Sequence, residues 1–81
     1  MKIIELKESK KVNYFGFIII IPWFANYLAV DQDGTLNAFR NKPELNEEGF
    51  FWWTDPTCEQ FQQVAVVDLE GMNWKETLIK V

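Results

Sequence analysis

The 81-residue chain contains no histidine and only one cysteine, Cys58. Without histidine, it lacks the side chain that most often serves as a metal ligand or as a general base near neutral pH. With one cysteine it cannot form an internal disulfide, which suits a reducing compartment. Cys58 has no neighbouring Lys or Arg to favour its thiolate, and the adjacent Glu59 disfavours that form. We therefore expect no catalytic residue, no metal site and no cofactor.

Phosphate-binding glycine motifs are also missing, since the chain has neither Gly-x-Gly nor Gly-Lys-Ser/Thr. Residues 31–34 resemble the opening of a calcium loop, but the twelfth position of such a loop needs a bidentate Glu and here holds Lys42. We interpret the segment as a hairpin turn. Glu47 and Glu48 are adjacent in a polar segment, which favours solvated charges over an acid–base pair. The sequence predicts a protein that is not an enzyme.

Positive charge is scarce, and the net charge is −4. This balance argues against sequence-independent binding of nucleic acid, so we expect no nucleic-acid partner. The lysines crowd the first 11 residues, whereas acidic residues dominate from Glu44 to Glu59. The charged N-terminal segment has no signal-peptide pattern. We expect a soluble protein in the cytoplasm.

The stretch Val12–Val30 carries no charge and is about as long as a membrane span of ~20 residues. Lys10 and Lys11 would flank such a span on its positive side. However, Gly16 and Pro22 interrupt the stretch, and its β-branched and aromatic residues favour strands. We expect strands here and no membrane contact.

Hairpin and strand patterns cover most of the chain. Asn26–Arg40 is typical of a β-hairpin, with Asp31 expected to bond its own backbone two residues on and Gly34 expected at positive φ. Alternation along residues 35–38 predicts one dry face with Leu36 and Ala38. The other predicted strands are Tyr14–Ile21, apolar on both faces and ended by Pro22, then Phe50–Thr54, ended by Asp55-Pro56, and Gln60–Leu69.

The C-terminus has the pattern of a short helix. Asn73 is a good N-cap, Glu76 follows at capping-box spacing, and Trp74, Leu78 and Val81 share one helical face. Lys2–Lys11 is ambiguous between helix and strand, and its alternation favours a strand. The sequence therefore predicts a single domain over residues 1–81, mainly β or α+β. We expect an antiparallel sheet of four to five strands with a short C-terminal helix.

The run Phe50-Phe51-Trp52-Trp53 is the most unusual feature. On a strand, Phe50 and Trp52 would point one way and Phe51 and Trp53 the other. A small core cannot easily cover both faces, so one pair would form a sticky face for a protein or a stacking platform for a base. The alternative is that loops and the helix cover both pairs.

A longer pattern runs Pro22-Trp23-x-Ala25-x-Tyr27-x-Ala29-x-Asp31-x-Asp33-Gly34, then Phe39 and Lys42-Pro43, and closes with Asp68-Leu69 and Asn73-Trp74-Lys75-x-x-Leu78. This pattern resembles a family of small proteins encoded by bacteriophages and prophages. The resemblance covers residues 20–81 and leaves out the apolar N-terminal run. It implies a phage origin and a bacterial host cytoplasm, and it implies no reaction or functional residue.

Three functions remain open. The first is an accessory protein that binds and inhibits or modulates a host protein, such as a bacterial defence component, through acidic residues and aromatic anchors. The candidate partner-binding residues are Trp23, Phe51, Trp53, Glu44, Glu47 and Glu48. The second is an oligomeric sponge for a nucleotide signal, although few cations follow residue 11. The third is a small structural or assembly protein that self-associates as a homo-oligomer through residues 14–21.

Overall fold

A computed structural model of the chain describes residues 1, 2, 4, 8–54 and 60–81. The predicted element Lys2–Lys11 falls partly outside the described residues. Cys58 and the Asp55-Pro56 strand end lie wholly outside them.

The regular secondary structure of the described residues consists almost entirely of antiparallel strands. They are β1 (Lys10–Tyr14), β2 (Phe17–Ile21), β3 (Tyr27–Val30), β4 (Thr35–Phe39), β5 (Glu44–Asn46), β6 (Phe51–Trp53), β7 (Phe61–Val66) and β8 (Ile79–Lys80). A central sheet has the order β7-β4-β3-β8, and β1–β2 and β5–β6 form two separate hairpins. The prediction of a mainly β domain with an antiparallel sheet of four to five strands is confirmed, and the central sheet has four.

The hairpin β3–β4 matches the prediction closely. Its register pairs Tyr27 with Phe39 and Val30 with Leu36, and Gly34 takes a φ of 92° in the turn. Glycine is required at this position because a Cβ would collide with the carbonyl oxygen of Val67. The expected local bond of Asp31 is wrong, however. Asp33 makes that bond instead, its Oδ1 accepting from the Thr35 N–H at 2.9 Å.

The predicted single strand Tyr14–Ile21 is wrong, because the chain turns back in its middle. Phe15 and Gly16 have φ values of 48° and 84°, which is the conformation of a two-residue hairpin turn. The Asn13 Oδ1 accepts from the Gly16 N–H at 3.0 Å and supports that turn. The strand β2 then ends immediately before Pro22, as predicted. No helix among the described residues has the length and apolar character that a membrane span requires.

The predicted C-terminal helix is also wrong beyond its first turn. Asn73 caps a single 3-10 turn, Trp74–Glu76, and its Oδ1 accepts from the Lys75 N–H at 3.0 Å. The turn stops because the Thr77 hydroxyl accepts from the Val30 N–H at 2.8 Å and lies 3.2 Å from the Val30 carbonyl. The chain after Thr77 therefore pairs with β3 as strand β8, opposite Tyr27 and Leu28.

The central sheet is covered on both faces. Leu28, Val30, Leu36 and Ala38 point to one face and pack with Tyr14 and Ile21 of hairpin β1–β2. Ala29 and Phe39 point to the other face and pack with Trp52 of β6 and Trp74. A bulge in β7 opposite Leu36 and Asn37 interrupts the alternation of side chains along this strand. The two hairpins thus lie on opposite faces of one sheet.

Candidate functional site

The hairpin β5–β6 holds most of the residues predicted to bind a partner. Its register pairs Glu44 with Trp53 and Asn46 with Phe51, so these four side chains share one face. The Asn46 Oδ1 accepts from the Gly49 N–H at 2.8 Å and shapes the connecting turn. Phe50 lies in that turn with a φ of 60°. Its predicted place on the strand beside Trp52 is therefore wrong, whereas the shared face of Phe51 and Trp53 is confirmed.

Trp52 attaches this hairpin to the central sheet. The side chain is 8% exposed, and its indole Nε1–H donates to the Val30 carbonyl at 3.1 Å. Its backbone N–H donates to Asp31 Oδ1 at 2.8 Å. The ring also meets Trp74 edge-on, with 6.2 Å between the centroids. Burial of Trp52 on one face leaves the neighbouring Trp53 on the opposite, outward face.

Carboxylates and one indole surround a shallow depression of about 440 Å³, which we call the acidic depression. It is lined by Glu44, Leu45, Asn46, Glu47, Glu48 and Trp53. Trp53 is 46% exposed here, and the three glutamates are exposed as well. Four of the six predicted residues, Glu44, Glu47, Glu48 and Trp53, therefore line the same depression.

A lysine that the sequence did not single out lies beside the acidic depression. Lys75, in the 3-10 turn, places its Nζ 3.2 Å from Glu47 Oε1. Both side chains are substantially exposed, so the pair contributes little to stability. Only the return of the C-terminal segment across the sheet brings these residues together, and no local sequence signal indicates it.

The pKa values of two aspartates behind hairpin β5–β6 are shifted in opposite directions. Burial raises the pKa of Asp31; the hydrogen bond from the Trp52 N–H opposes this, and the charge of Asp33 adds to it. Hydrogen bonds from Thr35 lower the pKa of Asp33. Both carboxylates are thus engaged in holding turns and strands, in agreement with the structural interpretation of residues 31–34.

Phe51 and Trp23 lie outside the acidic depression. Phe51 is half-buried and borders a neighbouring depression of about 310 Å³ next to Asp31 and Trp53. Trp23 belongs to the turn between β2 and β3, where the guanidinium carbon of Arg40 lies 5.8 Å from its ring centroid. The structure therefore does not unite all the predicted aromatic anchors in a single site.

The hairpin β1–β2 exposes a second surface, which is uncharged along β2. The sequence pointed to residues 14–21 as a surface for self-association, but it did not predict the turn that creates this face. Phe17, Ile18 and Ile20 are 72%, 69% and 62% exposed. The signal for it was the Asn13-x-x-Gly16 spacing, which marks a turn and splits the apolar run into two strands. Once that turn is recognised, alternation places Ile18 and Ile20 on the side away from Ile21 and the core.

No group of three or more His, Cys, Asp or Glu side chains is placed to hold a metal ion within the described ranges. No protein-family model, curated protein or solved structure is significantly similar to this chain. The resemblance to small phage proteins accordingly stays a prediction from the residue pattern.

Proposed function

We propose that this chain is a non-catalytic bacteriophage accessory protein that binds a host protein and inhibits or modulates it. The observation that carries the proposal is the meeting of Glu44, Glu47 and Glu48 with the exposed indole of Trp53 around one depression. Aromatic anchors contribute much of the energy of protein interfaces, and surrounding charges set specificity and association rate. The phage origin rests on the residue pattern of positions 20–81.

The chemistry of the acidic depression favours a basic partner surface. An arginine is the best fit, because its guanidinium can stack on an indole while it bonds a carboxylate in a bidentate manner. Trp53 lies directly across the strand pair from Glu44, which places a ring and a carboxylate side by side. A host protein with arginines around an apolar contact would match both groups.

Arg40 and Lys75, two of the described cations, do not favour a nucleotide sponge. Arg40 Nη1 donates to Gln60 Oε1 at 2.9 Å, and Lys75 pairs with Glu47. These contacts engage the two cations with protein groups, and the acidic depression would repel phosphates. We therefore place the protein partner first.

The proposal is tested by affinity purification from a bacterial host during phage infection, with the wild type and the triple variant Glu47→Lys, Glu48→Lys, Trp53→Ala as baits. For the partner recovered, we expect the triple variant to lower affinity at least about tenfold. The association rate of the wild type should fall steeply as salt is raised, and that of the variant should not.

The matched control is Glu8→Lys with Glu76→Lys. This pair makes the same charge change as Glu47→Lys with Glu48→Lys, at exposed positions that do not line the acidic depression. It should retain the partner, whereas Trp53→Ala alone should not. A partner that the triple variant binds as well as the wild type does would rule out this site.

A further inference from the structure

One edge of strand β2 has backbone groups without a partner strand among the described residues. The two-residue turn at Phe15-Gly16 makes Tyr14–Phe17 a hydrogen-bonded pair, and Val12–Ile19 follows as the next one. In an antiparallel ladder the residues in between direct their N–H and C=O groups away from the partner strand. Ile18 and Ile20 are those residues on β2, and among the described residues β2 pairs only with β1. Each therefore offers one donor and one acceptor outward.

Strands β1, β7 and β8 also lie at sheet edges, but they carry features that discourage pairing with another chain. Natural edges are protected by charges, short length, proline or bulges. β1 has Lys10 and Lys11, β7 has a bulge, and β8 is two residues long and includes Lys80. β2 has the sequence Phe-Ile-Ile-Ile-Ile without a charge or a bulge. Among the described strands of five or more residues at a sheet edge, β2 alone is left unprotected.

We propose that two copies of this chain join through the free edge of β2, in antiparallel pairing about a two-fold axis at Ile19. In that register Ile18 of each copy lies opposite Ile20 of the other. The two pairs form four backbone hydrogen bonds, and these use the outward groups that the hairpin leaves free. The product is a four-stranded sheet with the order β1-β2-β2-β1. A two-fold axis makes the contact self-complementary and closed, so it stops at a dimer.

The same register gives Phe17 a partner. Phe17 lies opposite Ile21 of the second copy, and Ile21 lines a depression of about 330 Å³ that also includes Pro22 and Trp23. At roughly 200 Å² for a whole aromatic side chain, the exposed part of Phe17 alone offers on the order of 150 Å² in each copy. With Ile18, Ile20 and the backbone edge, the pair reaches only the lower end of specific interfaces, about 1,000 Å² in total. The dimer should therefore have a dissociation constant on the order of micromolar.

The salt dependence of the dimer should be opposite to that of the proposed host contact. Each copy has a net charge of −4, and β2 contributes no charge to the contact. Salt screens the repulsion between two like-charged copies. Raising the ionic strength should therefore tighten the dimer, whereas it should weaken binding of a basic partner at the acidic depression. The dimer does not depend on the proposed function.

Sedimentation of the full chain over about 1–300 µM tests the proposal, since this range brackets micromolar dissociation. We expect the mass to rise from 9.6 kDa to twice that value. Ile18→Lys should prevent the increase by placing a charge on the pairing edge. Asn13→Lys is the matched control, because Asn13 lies directly across the hairpin from Ile18 but on the far strand. A monomer throughout, or a dimer that Ile18→Lys leaves unchanged, would overturn the proposal. An equal loss of the dimer in Asn13→Lys would also overturn the proposal.

Disulfide trapping tests the position of the axis. In a Cys58→Ser background, Ile19→Cys should cross-link two copies under mild oxidation, because the two positions face each other within the ~7 Å between Cα atoms that a disulfide needs. Val12→Cys is the control, since Val12 is the cross-strand neighbour of Ile19 and is likewise half-buried. Its copies would lie about 14 Å apart across three strand spacings. Cross-linking of Val12→Cys, or none of Ile19→Cys, would contradict this register.

Discussion

The hairpins β1–β2 and β5–β6 are attached to the central sheet in similar ways but expose opposite chemistry. Each inserts one buried aromatic side chain that donates a hydrogen bond to a backbone carbonyl. The Tyr14 hydroxyl donates to Thr77 at 2.6 Å, and the Trp52 indole donates to Val30 at 3.1 Å. Their outward sides differ. One carries isoleucines and no carboxylate, whereas the other carries three glutamates around Trp53.

This difference shows how a small sheet can separate anchoring from recognition. Side chains alternate along a strand, so a hairpin can bury one face and leave the other free to vary. An uncharged strand edge suits a second copy of the same acidic chain, which would be repelled by carboxylates. An acidic depression suits a basic partner for the same electrostatic reason. The two surfaces lie on opposite faces of the sheet, so both can be occupied at once.

The largest expected effect is loss of the anchor of β5–β6. Trp52→Ala removes a buried indole, its hydrogen bond to Val30 and its contact with Trp74, and should cost about 3–5 kcal/mol of unfolding free energy. Denaturant unfolding measures this value. Because a domain of this size has only a few kcal/mol to lose, the variant should be largely unfolded at 37 °C.

Trp53→Ala is the natural comparison for Trp52→Ala. Trp53 is adjacent and of the same residue type, but it is 46% exposed, so its removal should cost under about 1 kcal/mol of stability. Equal destabilisation by the two substitutions would mean that the outward face of the hairpin is part of the core. That result would contradict the division between anchor and binding surface.

A smaller effect is expected from the anchor of β1–β2. Tyr14→Phe leaves the ring in place but deprives the buried Thr77 carbonyl of its donor, at a cost of about 1–2 kcal/mol. Burial raises the pKa of Tyr14 to about 12, whereas the unfolded chain releases this proton near 10.0. The wild type should therefore lose stability as pH rises from about 10 toward 12, and Tyr14→Phe should lose less. Parallel pH profiles for the two proteins would contradict the buried hydroxyl.

Local sequence signals could predict the fold where a turn residue and an alternation agree. The hairpin around Asp31–Gly34 combines both, and it was placed correctly. The turn at Phe15-Gly16 was missed because isoleucines on both sides obscure the alternation until the reversal is known. The prediction of a helix after Asn73 was wrong because of a contact with a distant part of the chain. Its cap is real, but the bonds of Thr77 to Val30, 47 residues away in sequence, stop the turn.

The candidate site was predictable in composition and only in part in geometry. Acidic residues and an aromatic run within ten positions suggested a binding surface, and the short hairpin β5–β6 brings Glu44 and Trp53 together. Trp23 lies apart from the acidic depression because the course of the chain, which composition does not reveal, places it in the turn between β2 and β3. Lys75 and Glu47 are distant in sequence and meet only in the folded chain. The sequence therefore did not predict that a positive charge lies beside the acidic depression.

The smallest expected effect compares two carboxylates, one of which bonds the acidic hairpin. Burial raises the pKa of Asp31, so folding favours its protonated form, and the wild type should lose stability as pH rises from 3.8 through the folded value. Asp33 has a lowered pKa, so its contribution to stability is present above pH 3.8 and is lost as pH falls through the folded value.

The stability of Asp31→Asn should therefore increase relative to that of the wild type as pH rises. The substituted amide still offers an acceptor for the Trp52 N–H. The stability of Asp33→Asn should decrease relative to that of the wild type as pH rises from the folded pKa of Asp33 to 3.8. Urea unfolding at a series of pH values separates the two, and equal signs for both variants would contradict this assignment of burial and hydrogen bonding.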